Sequence, residues 1–378
     1  MISAILTISL VGIPFGLKWA IWAKYGLAFV VVLGVLIFIH ELGHFLVARK
    51  VGVKVLTFSI GFGPKLIKKT VGDTEYALSA FPLGGYVRLL GDDPNEAVDP
   101  QELHRSFLNQ SVPKKMAIVF AGPFFNLLLA LVIFVGIFMM GVPVLTAEVG
   151  EVQEGSPAYN AGILSGDVVV AIEEKKVSQW EDIRGLLQGS GGKEVSVQVK
   201  RGAETVTVKV VPVQKESKNI FGERQMQWLI GIAPKGTFIT QRHDPFNAAF
   251  LGAKRTWEIT ELTVVGIVKL IQGKLPANTI GGPIMIAQLA GQQAAQGFLN
   301  ILLFIAILSI NLGVINLLPI PILDGGHMLF FAIEGVMGKP ISLRKREVAQ
   351  QIGLFLLICL MLWAIKNDVV RIISNPNG

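Results

Sequence analysis

The apolar positions of this chain gather into long unbroken runs, not into the alternating or 3.6-residue patterns of a water-soluble fold. The runs extend from Gly26 to Ala48, Met116 to Gly141, Phe298 to Leu318 and Ile352 to Ile365. Each approaches or reaches the ~20 residues with which a helix crosses a bilayer, the last being short. The pattern predicts a polytopic α-helical membrane protein with about four transmembrane helices. Residues 1–25 are also apolar but carry no Lys or Arg before Lys18, which sets them apart from a secretory signal. A helix lying on the membrane surface and a partial span both remain open for them.

Other textures separate the runs. Within residues 49–115, "VLTFSIGFGPKLIKK" and "TEYALSAFPLGGYVRLL" are rich in β-branched and aromatic residues and broken by Gly and Pro, which predicts a small membrane-associated β-sheet. Unpaired backbone groups cost several kcal/mol each in lipid, so such a sheet must sit inside protein or beside a wet cavity. Its edge is a place where an extended chain could be added. Residues 145–213 are polar and Gly-rich with short alternating strands; "GSPAYNAGILSGD" and the strands around it resemble a bacterial PDZ domain of α+β type. Residues 214–297 read as linker and amphipathic helix, the stretch from Pro245 to Gly273 placing Lys254, Arg255, Glu258 and Glu261 beside apolar residues at helical spacing. That helix is expected on the membrane surface. The third run is extended to residue 326 by a Pro-rich tail; residues 327–350 form a segment before the fourth run, and 366–378 a tail.

Composition agrees with a membrane protein: 52% of residues are hydrophobic and 16% charged, and the mean hydropathy is +0.57. The formal charge of +7 reads as topology. Basic residues cluster after the first run (Arg49, Lys50, Lys54, Lys65, Lys68, Lys69, Arg88, Arg105, Lys114, Lys115) and before the last (Lys339, Arg344, Lys345, Arg346). By the positive-inside rule both loops are cytoplasmic, and the PDZ-like stretch and both termini lie outside. No aromatic-basic platform accompanies the charge, so no nucleic-acid partner is expected. Cys359 is the only cysteine, which excludes an intramolecular disulfide.

Candidate chemistry sits at the end of the first run, in "HELGH". His40 and His44 are four residues apart, so on a helix they share one face and can hold one metal ion, while Glu41 points to the adjoining face. Imidazoles suit Zn²⁺, and a catalytic zinc keeps a coordination position for water. Glu41 could take a proton from that water and pass it to a leaving amine. Ionisable groups at membrane depth are expensive and read as functional. The second anomaly is "NLLPIPILDGGH" at the end of the third run, where two prolines break the helix and Asp324 precedes Gly325 and Gly326. Asp324 could complete a His, His, Asp set; an aspartate capping the following helix is the alternative. His327 is a competing ligand, whereas His104 and His243 fall in polar segments.

Taken together, "HELGH", "GFGP", "PLGGYVRLLGD", "AGPFFN", the PDZ-like module, "GGPIMIAQLAG" and "NLLPIPILDGGH" resemble the site-2 protease family of intramembrane zinc metalloproteases across residues 26–370. The resemblance implies a zinc metalloendopeptidase of the bacterial cytoplasmic (inner) membrane. His40, His44 and Asp324 then hold Zn²⁺ and Glu41 is the catalytic acid/base. It further implies that Asn316, Pro319 and Pro321 shape a substrate cleft, with Asn316 bonding substrate backbone. Strands around Gly61, Gly63, Gly84 and Gly85 then hold the substrate extended. Implied substrates are single-span membrane proteins in the lipid bilayer, such as an anti-sigma factor after a first cleavage or a remnant signal peptide. Well-known Gram-negative members carry two tandem PDZ modules, where this chain has room for one. Two rival readings are a metal-ion transporter, which also needs intramembrane His and Asp beside a broken helix, and a PDZ scaffold with an inert metal site.

Overall fold

The computed structural model describes residues 15–93 and 96–374. Of the apolar segment 1–25, residues 1–14 lie outside the described residues, and the rest opens the first helix. In chain order come α1 (Phe15–Lys50), β1 (Val55–Val71), β2 (Thr74–Leu89) and α2 (Val112–Met140). A module then follows with β3 (Val142–Leu145), β4 (Val149–Val152), α3 (Pro157–Asn160), β5 (Val168–Ile172), β6 (Lys175–Lys176) and α4 (Trp180–Gly189). It continues through β7 (Val195–Arg201), β8 (Glu204–Val210), β9 (Val213–Lys218), β10 (Arg224–Leu229), β11 (Ile232–Pro234) and β12 (Phe238–Gln241). The chain ends with α5 (Pro245–Ile271), α6 (Pro283–Gln296), α7 (Phe298–Asn316), α8 (Asp324–Met337) and α9 (Leu343–Ser374). It divides into two compact units, residues 136–248 and the remainder.

Among the described residues, four helices are long and apolar enough to cross a membrane: α1 from Ala23, α2, α7 and α9. The expected fourth span, 352–365, proves to be the middle of a 32-residue helix. Its flanks are rich in Lys, Arg, Glu and Gln, which favour helix without registering as apolar. The third run splits as expected: α7 stops at Asn316, residues 317–323 are irregular, and α8 opens at Asp324. The amphipathic helix is present as α5, and it docks along its neighbours. An ideal Cβ on Gly252 would stand 2.8 Å from Val135 of α2, and Thr263 Oγ1 donates to Asn311 Oδ1 of α7 at 2.8 Å.

Small residues let α2 sit between α1 and α7. A Cβ on Gly43 of α1 would fall 2.4 Å from the Ala121 carbonyl oxygen, and one on Gly313 of α7 would fall 3.0 Å from that of Pro123. Without a hydrophobic drive between helices in lipid, such backbone approach is what makes van der Waals packing effective. Lys115, counted in sequence as a loop charge, is instead buried at the start of α2. It donates to Glu334 of α8 at 2.7 Å and lies 5.0 Å from the Phe331 ring centre. Asp368 of α9 supplies the cap that α6 lacks locally, accepting from the amides of Gly282 and Met285 at 2.9 Å each.

The hairpin of β1 and β2 is antiparallel and bent in both strands. Residues 57–60 pair with 75–78 on one side and with 85–88 on the other, while 65–71 pair back onto the outer side of 74–79. Two sequence strands thereby make a four-stranded ladder, and Gly61 and Gly63, with φ of +91° and +84°, take the bend. Gly85–Leu89 forms one edge, and it lies beside α1. Phe45, Phe58, Leu89, Ile118 and Phe331 bind hairpin, α1, α2 and α8 into one core.

The module centres on the sheet β6-β5-β7-β8. Strand β7, "VSVQVKR", buries every second residue, and Val197 and Val199 pack with Ile183 and Leu187 of α4. The sequence reading closed this module at residue 213, and the structure corrects that. β12 pairs with β3, β11 with β4, and Ile230, 1% exposed, enters the core. Residues 214–241 are therefore part of it. Their polar hairpin β9-β10 hides the short returning strands from any local pattern.

Asp167 is fastened at the entry to β5 by two bonds from Arg201, at 2.7 and 2.8 Å, and one from the Leu164 amide at 2.9 Å. The Arg201 guanidinium holds its carboxyl below the usual carboxylate range. A depressed folded value means that the stabilisation is present above the unfolded pKa and fades as pH falls through the folded one. Arg201→Met is thus expected to speed amide exchange of β5 and β7 at neutral pH, and the gap from wild type should close in acid. Equal exchange at neutral pH would remove the linkage.

Candidate metal centre

His40 and His44 lie one above the other near the C-terminal end of α1, as their spacing demands. Their Nε2 atoms are 3.2 Å apart. Asp324 Oδ2, from the first turn of α8, stands 3.1 Å from His40 Nε2 and 3.6 Å from His44 Nε2. Among the described residues, these three form the group whose donor atoms converge, and Asp324 Oδ2 is a buried oxygen with no hydrogen-bond partner. An ion with ligands at about 2.0–2.1 Å in tetrahedral array has donor-to-donor edges of about 3.3 Å. The observed triangle has that size, so the residues fit one Zn²⁺ with a face left for other ligands.

The approach of Asp324 depends on its glycines. A Cβ on Gly325 would sit 2.3 Å from the carbonyl oxygens of Leu317 and Leu318, and one on Gly326 would sit 2.2 Å from that of Ile320. Only bare backbone lets α8 begin so tightly under the broken end of α7.

Glu41 faces a cavity of about 440 Å³ whose wall also includes His44, Val87, Asp324, His327 and Arg346. Gly85 presses on Glu41: its ideal Cβ would stand 3.1 Å from Glu41 Cγ and 3.0 Å from Ile37 Cγ2. Gly84 packs under Phe62, whose ring would meet a Cβ at 1.8 Å. Gly61 and Gly63 lie at the bend, farther along the hairpin. His327 borders the cavity without joining the donor triangle. Asn316 closes α7, Pro319 is exposed, and Pro321 rests on Gly353 of α9; none of the three lines this cavity.

One face of α2 serves the centre, and the sequence reading passed over it. The Ile118 carbonyl accepts from His44 Nδ1 at 2.8 Å. Gly122, one turn on, makes room for both rings, since its Cβ would lie 2.3 Å from His44 Nε2 and 2.8 Å from His40 Cε1. Asn126, another turn on, meets His40 Nδ1 at 3.1 Å. The i, i+4, i+8 spacing from residue 118 was the available signal, masked because carbonyls and glycines are ordinary in membrane helices.

A candidate centre for one metal ion, held between a membrane-type helix and a Pro-broken partner beside a cavity that Glu41 lines, is the class that this geometry defines. The chain belongs to peptidase family M50, whose description matches residues 28–360. It is 37% identical over 364 residues to a candidate zinc metalloprotease of Agrobacterium fabrum, covering 93% of this chain and 97% of that one. It is 32% identical to the regulator of sigma-E protease RseP of Escherichia coli and 31% to the zinc metalloprotease RasP of Oceanobacillus iheyensis. Each alignment covers 91% of this chain and 98% of the relative. The RseP alignment runs over 448 positions, more than the 378 residues here, so that relative carries residues this chain lacks. The chain is a zinc metalloprotease, and the four apolar helices among its described residues fit a multi-pass protein of the bacterial inner membrane acting on membrane proteins.

Proposed function

We propose that this chain cuts single-span membrane proteins within their membrane segments, with Zn²⁺ held by His40, His44 and Asp324 and with Glu41 as acid/base. The observation that carries the reading is the donor triangle, 3.1, 3.2 and 3.6 Å on its sides, assembled from helices 280 residues apart in sequence. Zinc bound there supplies a Lewis acid that acidifies water and polarises a carbonyl. Glu41 takes a proton from water in the cavity and delivers it to the leaving amine nitrogen, so that water and peptide become acid and amine.

A helical substrate hides its carbonyls in its own hydrogen bonds and must unwind first. The edge Gly85–Leu89 beside Glu41 has no strand on its outer side among the described residues and supports strand addition, which offsets the bonds lost on unwinding. An added strand would have to displace Asp92 Oδ2 from the Leu89 amide. Gly61, Gly63 and Gly84 shape that hairpin, and Pro319 and Pro321 hold the break after α7 that leaves Asn316, outside the cavity lining, to bond substrate backbone. The basic loops argue for a centre toward the cytoplasmic side and a module outside. The order of β4, α3, β5 and α4 supports a PDZ domain. So does a cavity of about 580 Å³ whose wall combines Ile183, Leu187, Leu229 and Ile230 with charged Arg184 and Lys215. We assign it the role of an external filter that admits substrates already shortened, such as a cleaved anti-sigma factor or a remnant signal peptide.

The test places the purified protein in liposomes with a single-span model peptide. Chelation should stop cleavage and stoichiometric Zn²⁺ restore it. Turnover indifferent to chelation overturns the reading, and metal flux without cleavage would favour a transporter.

A further inference from the structure

For a histidine Nε2 to meet a cation with its lone pair, the ring proton must stay on Nδ1, and some acceptor must hold it there. For His44 the backbone provides one: the Ile118 carbonyl can only accept, so Nδ1 carries the proton. For His40 the facing group is the Asn126 carboxamide, 3.1 Å from Nδ1. Asn126 is 0% exposed, and its Oδ1 has no partner. With the amide nitrogen toward the ring, the His40 proton would be forced onto Nε2, into the middle of the three converging donors. A half turn of the carboxamide exchanges its near-isosteric ends, turns Oδ1 to Nδ1 and frees Nε2.

We propose that Asn126 is a positioning residue of the metal centre, its side-chain oxygen accepting the Nδ1 proton of His40 so that Nε2 points a lone pair at the ion. The inference rests on the His40, His44, Asp324 ligand set. Asn126 is itself held: Ser309 Oγ of α7 donates to its backbone oxygen at 2.7 Å, and Gly313 approaches so closely that a Cβ there would stand 3.4 Å from Asn126 Cβ. The carboxamide therefore has little freedom except its own half turn. No other described side chain reaches His40 Nδ1.

The experiment measures Zn²⁺ affinity of the full-length protein in detergent by competition with a chromophoric chelator, without substrate. Asn126→Ala is expected to weaken binding about 10- to 100-fold, the usual cost of losing a group that orients a ligand. Asn126→Asp keeps an acceptor oxygen in place and is expected to retain wild-type affinity or exceed it. Wild-type affinity in Asn126→Ala, or equal losses in both variants, overturns the proposal. His40→Ala is the control. Failure of the wild type to bind zinc would instead sink the ligand set, so the two failures are distinct. Should the aspartate variant not fold, ring-¹⁵N NMR of the zinc-bound protein still decides: a hydrogen-bonded His40 Nδ1–H whose shift is lost in Asn126→Ala supports the proposal, and one that Asn126→Ala leaves unmoved refutes it.

Discussion

Replacing Glu41 by glutamine is expected to reduce peptide cleavage about 100- to 10,000-fold, the range that a positioned proton carrier supplies, while zinc content stays at the wild-type level. The separation follows from where the residue stands. Its neighbours in the sequence motif, His40 and His44, point their Nε2 atoms at Asp324 Oδ2, whereas Glu41 is no member of that donor group. It faces the cavity instead, with Gly85 against its stem. Glutamine has the same shape and keeps that packing, but it cannot accept the proton of water at neutral pH. The loss should therefore appear in kcat with KM little changed, because ground-state contacts are preserved. Zinc analysis and kinetics on the same preparation check both halves. A zinc-loaded variant that turns over at a tenth of the wild-type rate or better would falsify the role, and loss of zinc would make Glu41 a ligand instead.

What could be read from the chain alone divides along physical lines. The two histidines were legible because a helix converts a spacing of four into a shared face, and nothing about the rest of the fold enters that step. Asp324 was legible for a different reason: Pro319 and Pro321 cannot continue a helix, and a break at membrane depth needs protein or water around it. The hairpin strands were visible as β-rich stretches, but their double pairing was not, since the bend at Gly61 and Gly63 only acquires meaning once residues 57–60 find two partners. Lys115 illustrates the other limit. Its partner Glu334 lies 219 residues away, and a half-buried pair looks in sequence like two surface charges. The closing strands of the module escaped for the same reason, because β12 is recognisable only through its pairing with β3. Long-range pairing is selected by burial, which no window along the sequence measures.

The largest structural effect is expected at Gly122, a residue whose contribution is the absence of a side chain. In Gly122→Ala the new methyl would lie 2.3 Å from His44 Nε2 and 2.8 Å from His40 Cε1, both far inside van der Waals contact. Something must move. The helix bearing the methyl cannot readily retreat along α1 or α7, because Gly43 and Gly313 already hold its backbone at close approach on both sides. The rings must yield, which breaks the bond from His44 Nδ1 to the Ile118 carbonyl and spoils the donor triangle. Displacement of a catalytic group by about 1 Å costs about 100-fold in rate, so cleavage should fall by at least that factor, with zinc affinity falling alongside. Gly136→Ala on the same helix, where a Cβ meets nothing within 4 Å, controls for any general effect of filling a glycine in α2 and should leave both unchanged. The argument fails if Gly122→Ala binds zinc and cleaves like the wild type. It also fails if Gly136→Ala matches its loss, for then helix packing in lipid, and not space for two imidazoles, would be what Gly122 protects.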